Sequence, residues 1–220
     1  MTVVVLGAEK GGVGKTSLAL NFTVLAAQSG ADVVLLDTDR QKTASNWLAL
    51  RTEEESLPPV SVLANSADPL HEIASLSRRY ELVVVDIGAQ NYRALVECGM
   101  LADIYIVPTS TSALDLDTTE DLFHLLGRLK PRNRKHRLDA CVALSKVPAH
   151  PQSREVARTR QRLAEVDVPV LQATLPQRSA WRSMANTGRA LHELQGQHHD
   201  ERASQEMRQL YDEVVSRLRG

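Results

Sequence analysis

Val3-Val4-Val5-Leu6-Gly7-Ala8-Glu9-Lys10-Gly11-Gly12-Val13-Gly14-Lys15-Thr16-Ser17 is the stretch on which the fold turns. Its apolar start reads as a buried strand, and Leu18-Ala19-Leu20-Asn21-Phe22 after it reads as the start of a helix. A strand, a glycine-rich loop and a Gly-Lys-Thr that opens a helix together form the context of a phosphate-binding loop. Glycines let backbone N–H groups turn inward around an anion, because no side chain blocks the approach. The helix start adds unpaired N–H groups and the positive end of its dipole. On this reading Gly11, Gly12, Val13, Gly14, Lys15, Thr16 and Ser17 cradle the phosphates. Lys15 reaches the β- and γ-phosphates of ATP, or the β-phosphate of ADP, and Thr16 places its hydroxyl on Mg²⁺. A glycine-rich turn with two solvated lysines is the bland alternative, and it leaves the flanking strand and helix unexplained.

Working outward, short apolar runs alternate with helical patterns. Strands are expected at 2–7, 32–36, 60–63, 82–86, 103–107, 139–144 and 169–173. The run at 60–63 is placed at the sheet edge, and Pro108 closes the run at 103–107. Helices are expected at 16–28, 43–51, 70–79, 94–99, 115–129 and 155–166, with two more near 179–186 and 202–218. Ser29-Gly30 ends the first helix, Trp47 lies on the apolar side of the second, and Asp68-Pro69 opens the third. Near-continuous apolar strands between helices argue for an α/β fold: one mostly parallel, twisted sheet covered on both faces. Ligands then bind at the carboxyl ends of the strands. The loops after positions 7, 37, 86, 107, 144 and 173 should therefore share one face. Residues 1–220 read as a single P-loop NTPase domain, without an internal repeat or an N-terminal DNA-binding domain.

Carboxylates stand at two of those strand ends. Asp86 follows Val83-Val84-Val85 and precedes Ile87-Gly88, which is a Walker B arrangement that faces a metal. A capping aspartate is its plain alternative. Gly88 lets the following loop approach the γ-phosphate. Asp37-Thr38-Asp39-Arg40-Gln41 ends the second strand, and two carboxylates one residue apart are costly unless a cation or water compensates them.

The glycine loop departs from the ordinary G-x-x-x-x-G-K-[ST] pattern: Glu9 stands at the first glycine, and a second lysine, Lys10, is present. This resembles the deviant Walker A signature K-G-G-x-G-K-[TS] of the ParA/MinD ATPases, and among them the small plasmid-type ParA proteins. The acidic stretch resembles that family's D-x-D-P-Q, with Arg40 in place of proline. The resemblance assigns Asp39 to orienting the attacking water and Asp37, with Thr16 and Asp86, to the metal shell. It implies that Lys10 reaches across to the ATP of a second subunit; screening of its own phosphates is the alternative. Catalysis would then rest on Lys10, Lys15 and Asp39. Pro108-Thr109-Ser110-Thr111-Ser112-Ala113-Leu114-Asp115 resembles the family's P-x-x-P-S-x-x-D stretch near the dimer face, with Thr111 replacing a proline. Pro176 and Gln177, after the last strand, are the implied contacts to the base, and Ser145-Lys146 are weaker ones.

The resemblance further implies an ATP-dependent homodimer that binds DNA without sequence preference and positions plasmid or chromosomal cargo. A ParB-like or other adaptor would stimulate hydrolysis. Alternatives are a MinD-like regulator of a protein cargo, or a metabolic enzyme of the same superfamily. Lys and Arg total 26 against 27 Asp and Glu, so any DNA-binding surface must be local. Basic residues gather at 128–137 and at Arg154, Arg158, Arg160 and Arg162, while Arg178, Arg182 and Arg189 lie nearer the expected nucleotide edge. The last helix carries Met207, Leu210, Tyr211, Val214, Val215 and Leu218 on one side, with acids among its basic residues. It reads as packing on the sheet rather than lying on a membrane. No apolar run approaches the ~20 residues of a membrane span. The chain enters a strand at once, and Cys98 and Cys141 lack metal-type spacing, so a cytoplasmic setting is expected; the resemblance implies nucleoid association when ATP is bound.

Overall fold

The apolar runs become the strands of one sheet. The computed structural model of the chain describes residues 1–39, 41, 43–64, 68–89, 91–134, 138–150 and 153–219. Arg40, and positions 135–137 of the basic run at 128–137, lie outside the described residues. Among these, seven strands run in the order β3-β2-β4-β1-β5-β6-β7. They are β1 (Thr2–Leu6), β2 (Val33–Asp37), β3 (Ser61–Ala64), β4 (Leu82–Asp86), β5 (Ile104–Thr109), β6 (Asp139–Val147) and β7 (Val170–Pro176). All neighbours pair in parallel.

Among the described residues, eight α-helices cover the sheet: α1 (Lys15–Gln28), α2 (Thr43–Thr52), α3 (Pro69–Leu76), α4 (Tyr92–Gly99), α5 (Ala113–Leu129), α6 (Arg154–Glu165), α7 (Ser179–Thr187) and α8 (Glu201–Arg219). Successive side chains of a strand point to opposite faces, so each strand feeds two cores. Val4, Leu6, Val84, Ile104 and Ile106 pack with α1, Trp47 of α2, α7 and α8. Val3, Val5, Val83, Val85, Tyr105 and Val107 pack with α3, α4, α5 and Leu163 of α6. The amphipathic residues Met207, Leu210 and Val214 of α8 are buried against the first core, as their spacing indicated. Among the described residues, no helix is long and apolar enough to cross a membrane.

Three strands run further than their sequence indicated. β5 continues through Pro108 to Thr109. Ile106 points its carbonyl at β1 and accepts from the Gly7 N–H at 3.1 Å, so Pro108, two residues on, has its nitrogen on the same side. β1 has ended there, and the missing N–H interrupts no ladder. β6 includes Ser145 and Lys146, which had been read as following it. Lys146 takes a left-handed φ of 54° where the register with β7 shifts between Ser145 and Val147. β7 extends to Pro176, paired with Val147.

The edge strand β7 is closed by side chains. Glu213 of α8 accepts from the N–H groups of Gln172 and Ala173 at 2.8 and 3.0 Å. Arg160 donates to the Gln172 carbonyl at 2.8 Å. Such cover keeps an edge from pairing with another chain.

Candidate nucleotide site

The crossover after β1 leaves towards the β3 edge and the one after β4 leaves towards the β7 edge, so a crevice opens at the carboxyl ends of the central strands. The glycine loop fills it. Gly12 and Gly14 hold φ of 78° and 96°, the left-handed region that a side chain resists. Gly7 is needed for another reason: a Cβ there would lie 2.1 Å from the Tyr105 hydroxyl.

α3, α4, α5 and α6 each begin with a side-chain cap, from Asp68, Asn91, Ser112 and Ser153. α1 has none among the described residues, so its first N–H groups face the loop. That is the arrangement of an anion site. Lys15 is 6% exposed and donates to the Lys10 carbonyl at 2.7 Å, which curls the loop round its ammonium. Burial lowers its pKa, against the opposing pull of Asp86 and Asp39.

Asp37 and Asp86 are register partners at the ends of β2 and β4. Asp86 is 1% exposed, and neither of its oxygens has a hydrogen-bond partner among the described residues. Burial pushes its carboxyl up to about 7, while the nearby Thr16 hydroxyl and Lys15 pull it down. One Asp37 oxygen accepts from the Asp39 N–H at 2.8 Å, and the other is likewise unpartnered. Burial raises its pKa too. Three orphaned oxygens beside a threonine hydroxyl and an anion cradle fit a hydrated divalent cation, whose charge would replace the missing partners.

The Thr38 hydroxyl ties the two acidic loops together. It donates to the Asp86 carbonyl and accepts from the Gly88 N–H, both at 3.1 Å. A Cβ on Gly88 would sit 2.9 Å from the Asp39 Cα. Gly88 is therefore required by the Asp39 loop, a reason its sequence did not supply. Asp39 is half-buried and accepts from the Gln41 N–H at 3.0 Å.

A cavity of about 720 Å³ runs from the glycine loop towards β6 and β7. Gly11, Gly12, Val13, Gly14, Lys15, Thr16, Ser17, Asp39 and Gln177 line it. Pro176 does not: it is buried as the last residue of β7. Lys146 lines the cavity, whereas the Ser145 hydroxyl props the glycine loop by donating to the Val13 carbonyl at 2.8 Å. Lys10 stands outside the cavity, half-buried in a hollow beside Thr109, Asp115 and Thr118. Its ammonium makes no hydrogen bond or ion pair among the described residues.

The sequence leaves Trp181 unmarked as a wall of this cavity, whereas the neighbouring Arg178 and Arg182, placed by it nearer the nucleotide edge, do line the cavity. The usable signal for Trp181 was its place in the first turn of a helix that follows a strand end. Several arginines of the basic runs are already engaged. Arg162 forks onto Asp117 and Glu120, Arg178 onto Glu206, and Arg189 pairs with Glu54. Arg128, Lys130, Arg132, Arg134, Arg154 and Arg158 are exposed.

Comparison with known proteins agrees with this geometry. Residues 4–191 match the family model described as the CobQ/CobB/MinD/ParA nucleotide binding domain. A protein ParA of Rhizobium radiobacter is 24% identical over 198 residues, 88% of this chain and 86% of that protein. Apo McdA of Cyanothece superposes with a TM-score of 0.78 at 15% identity, covering 99% of both chains. The septum site-determining protein MinD of Pyrococcus horikoshii, complexed with Mg-ADP, gives 0.68 at 18% identity over 97% of this chain and 95% of its own.

Proposed function

Because this chain belongs to the CobQ/CobB/MinD/ParA nucleotide-binding family, we propose that it is a ParA-type ATPase that positions cargo by pairing two copies around ATP. Plasmid or chromosomal DNA is the leading cargo. The carrying observation is the placing of the two lysines. Lys15 is buried inside the cavity, while Lys10 stands outside its own cavity with no acidic partner among the described residues. A cation so placed is suited to a neighbour's triphosphate, where it would stabilise developing charge as an arginine finger does. ADP lacks the γ-phosphate, so pairing would follow the nucleotide state.

Within one chain, α1's N–H groups and Lys15 would hold the phosphates. Thr16, Asp37 and Asp86 would hold Mg²⁺, which supplies neutralisation of phosphate charge. Asp39, half-buried at the cavity wall, would orient the attacking water. Turnover would be slow until an adaptor of the ParB kind completes the site. DNA binding without sequence preference would fall to the exposed Arg128, Lys130, Arg132, Arg134, Arg154 and Arg158. The arginines already paired with acids favour a second reading, a MinD-like regulator with a protein cargo and the same ATPase cycle. One form of the superfamily alternative, an iron–sulfur reductase that would need cysteines around a cluster, is disfavoured: Cys98 and Cys141 lie in opposite cores, and burial pushes both thiols up to about 12.

The test uses two variants. Asp39→Ala should trap an ATP-bound dimer with little turnover; an unchanged ATPase rate removes Asp39 from that role. Lys10→Ala should bind ATP yet elute as a monomer from a sizing column, and an unchanged ATP-dependent dimer defeats the trans assignment. Retention on DNA should need ATP and fall steeply with salt; equal retention with ADP would favour the protein-cargo reading.

A further inference from the structure

The cavity wall towards β6 and β7 has a feature that the phosphate chemistry leaves unused. Trp181 is the one aromatic residue among the described residues lining the cavity. The other large apolar residues there, Leu18 and Leu175, are 2% and 1% exposed and belong to the core. Trp181 is half-buried, packed partly against that core and partly open to the cavity. A large planar surface held from behind and open in front is a stacking platform.

The platform is fixed relative to the glycine loop. Asn21 of α1, wholly buried, donates to the Ser17 carbonyl at 2.7 Å and to the Met184 sulfur at 2.9 Å, and accepts from the Leu191 N–H at 2.8 Å. Trp47 of α2 donates its indole N–H to the Met184 carbonyl at 2.9 Å. α7 is thus pinned one turn past Trp181 to the helix whose N-terminus forms the anion cradle. Before α7, Arg178 forks onto Glu206 at 2.6 and 2.9 Å, which fixes the entry from β7.

We propose that Trp181 is the residue on which the nucleotide base stacks, so that the base is held chiefly by an aromatic face. The inference rests on the nucleotide reading above and adds how the base end is bound. Stacking does not distinguish one purine from another, since every base presents a π-face. Adenine and guanine nucleotides should therefore gain alike from Trp181.

The experiment compares ADP, GDP and inorganic tripolyphosphate on the full chain by calorimetry. Trp181→Ala should weaken ADP and GDP each by about tenfold and leave tripolyphosphate binding unchanged. Trp181→Phe should recover most of the loss. Trp47 is 2% exposed, so the change in tryptophan emission on adding ADP should vanish in Trp181→Phe. Unchanged ADP affinity in Trp181→Ala, with tripolyphosphate still bound, overturns the stacking role and leaves the phosphate site standing. Equal loss of tripolyphosphate overturns it as well, because Trp181 would then serve the fold. Failure of the unmodified chain to bind any of the three defeats both readings.

Discussion

Glu193 lies behind α2, 8% exposed, with the Arg51 guanidinium across both its oxygens at 2.7 and 2.9 Å and the Ala190 N–H on one of them at 2.8 Å. Asp86 lies at the end of β4, 1% exposed, with no hydrogen bond to either oxygen among the described residues. Burial acts on both to raise the pKa. At Glu193 the Arg51 bonds overcome it and hold the carboxyl below its ordinary value, whereas at Asp86 nothing does and the carboxyl is pushed up to about 7. A buried carboxylate with every partner in place braces a structure. One kept without partners is held against stability, and in a cleft that is the mark of a site awaiting a cation.

The largest effect should come from breaking the satisfied pair. Arg51→Met leaves Glu193 buried and unpaired, and also removes the bonds to the Gly188 and Pro58 carbonyls. Urea unfolding should show a loss of about 3–5 kcal/mol. Asp86→Asn should act in the opposite sense. At pH 8 the ligand-free variant should gain on the order of 2 kcal/mol, because a desolvated charge is gone, while ATP turnover disappears. A loss of stability there would mean that Asp86 is satisfied after all.

Glycines sharpen the same contrast. A Cβ on Gly188 would lie 2.4 Å from the Arg51 backbone nitrogen, whereas a Cβ on Gly12 meets nothing within 4 Å among the described residues. Both have positive φ, so both alanine variants carry a left-handed cost of about 1–2 kcal/mol, and only Gly188→Ala adds a backbone clash in the brace. Its thermal midpoint should fall clearly below that of Gly12→Ala, which should instead lose phosphate affinity.

The same buried charge also sets a pH slope. Asp86 in the folded chain titrates above its ordinary value of 3.8, so between about 4 and about 7 the folded state holds more protons than the unfolded one. Ligand-free stability should therefore fall as pH rises across that window, and Asp86→Asn should lack that fall. Glu193 titrates below its ordinary 4.5 when folded, so its contribution is present above that value and is lost as pH falls through the folded one. Melting curves from pH 4 to 8 for the parent and Asp86→Asn separate the two.

The phosphate cradle and the order of the elements were legible in the chain because their determinants are contiguous. Glycines, Lys15 and Thr16 occupy consecutive positions, and each strand announces itself by its own apolar run. Strand ends were read short at β5, β6 and β7 because pairing with a neighbour, not local pattern, carries Pro108, Lys146 and Pro176 into the sheet. The base wall was read only in part. Gln177 was reached through the family resemblance of the stretch after the last strand, whereas Trp181 faces the cavity because Asn21 and Trp47 anchor α7 from 163 and 137 positions away.

By itself, then, the sequence determined that a parallel α/β sheet would present an anion-binding loop with carboxylates at neighbouring strand ends. Only the tertiary structure decided which carboxylate would be answered. Arg51 and Glu193 meet across 142 residues and satisfy one another, while Asp37 and Asp86 are brought side by side with no cation among the described residues bonded to their open oxygens. Local pattern can specify a strand end, because its signal lies within a few residues. Whether a buried charge there finds a partner depends on long-range packing, which leaves no period in the chain to read.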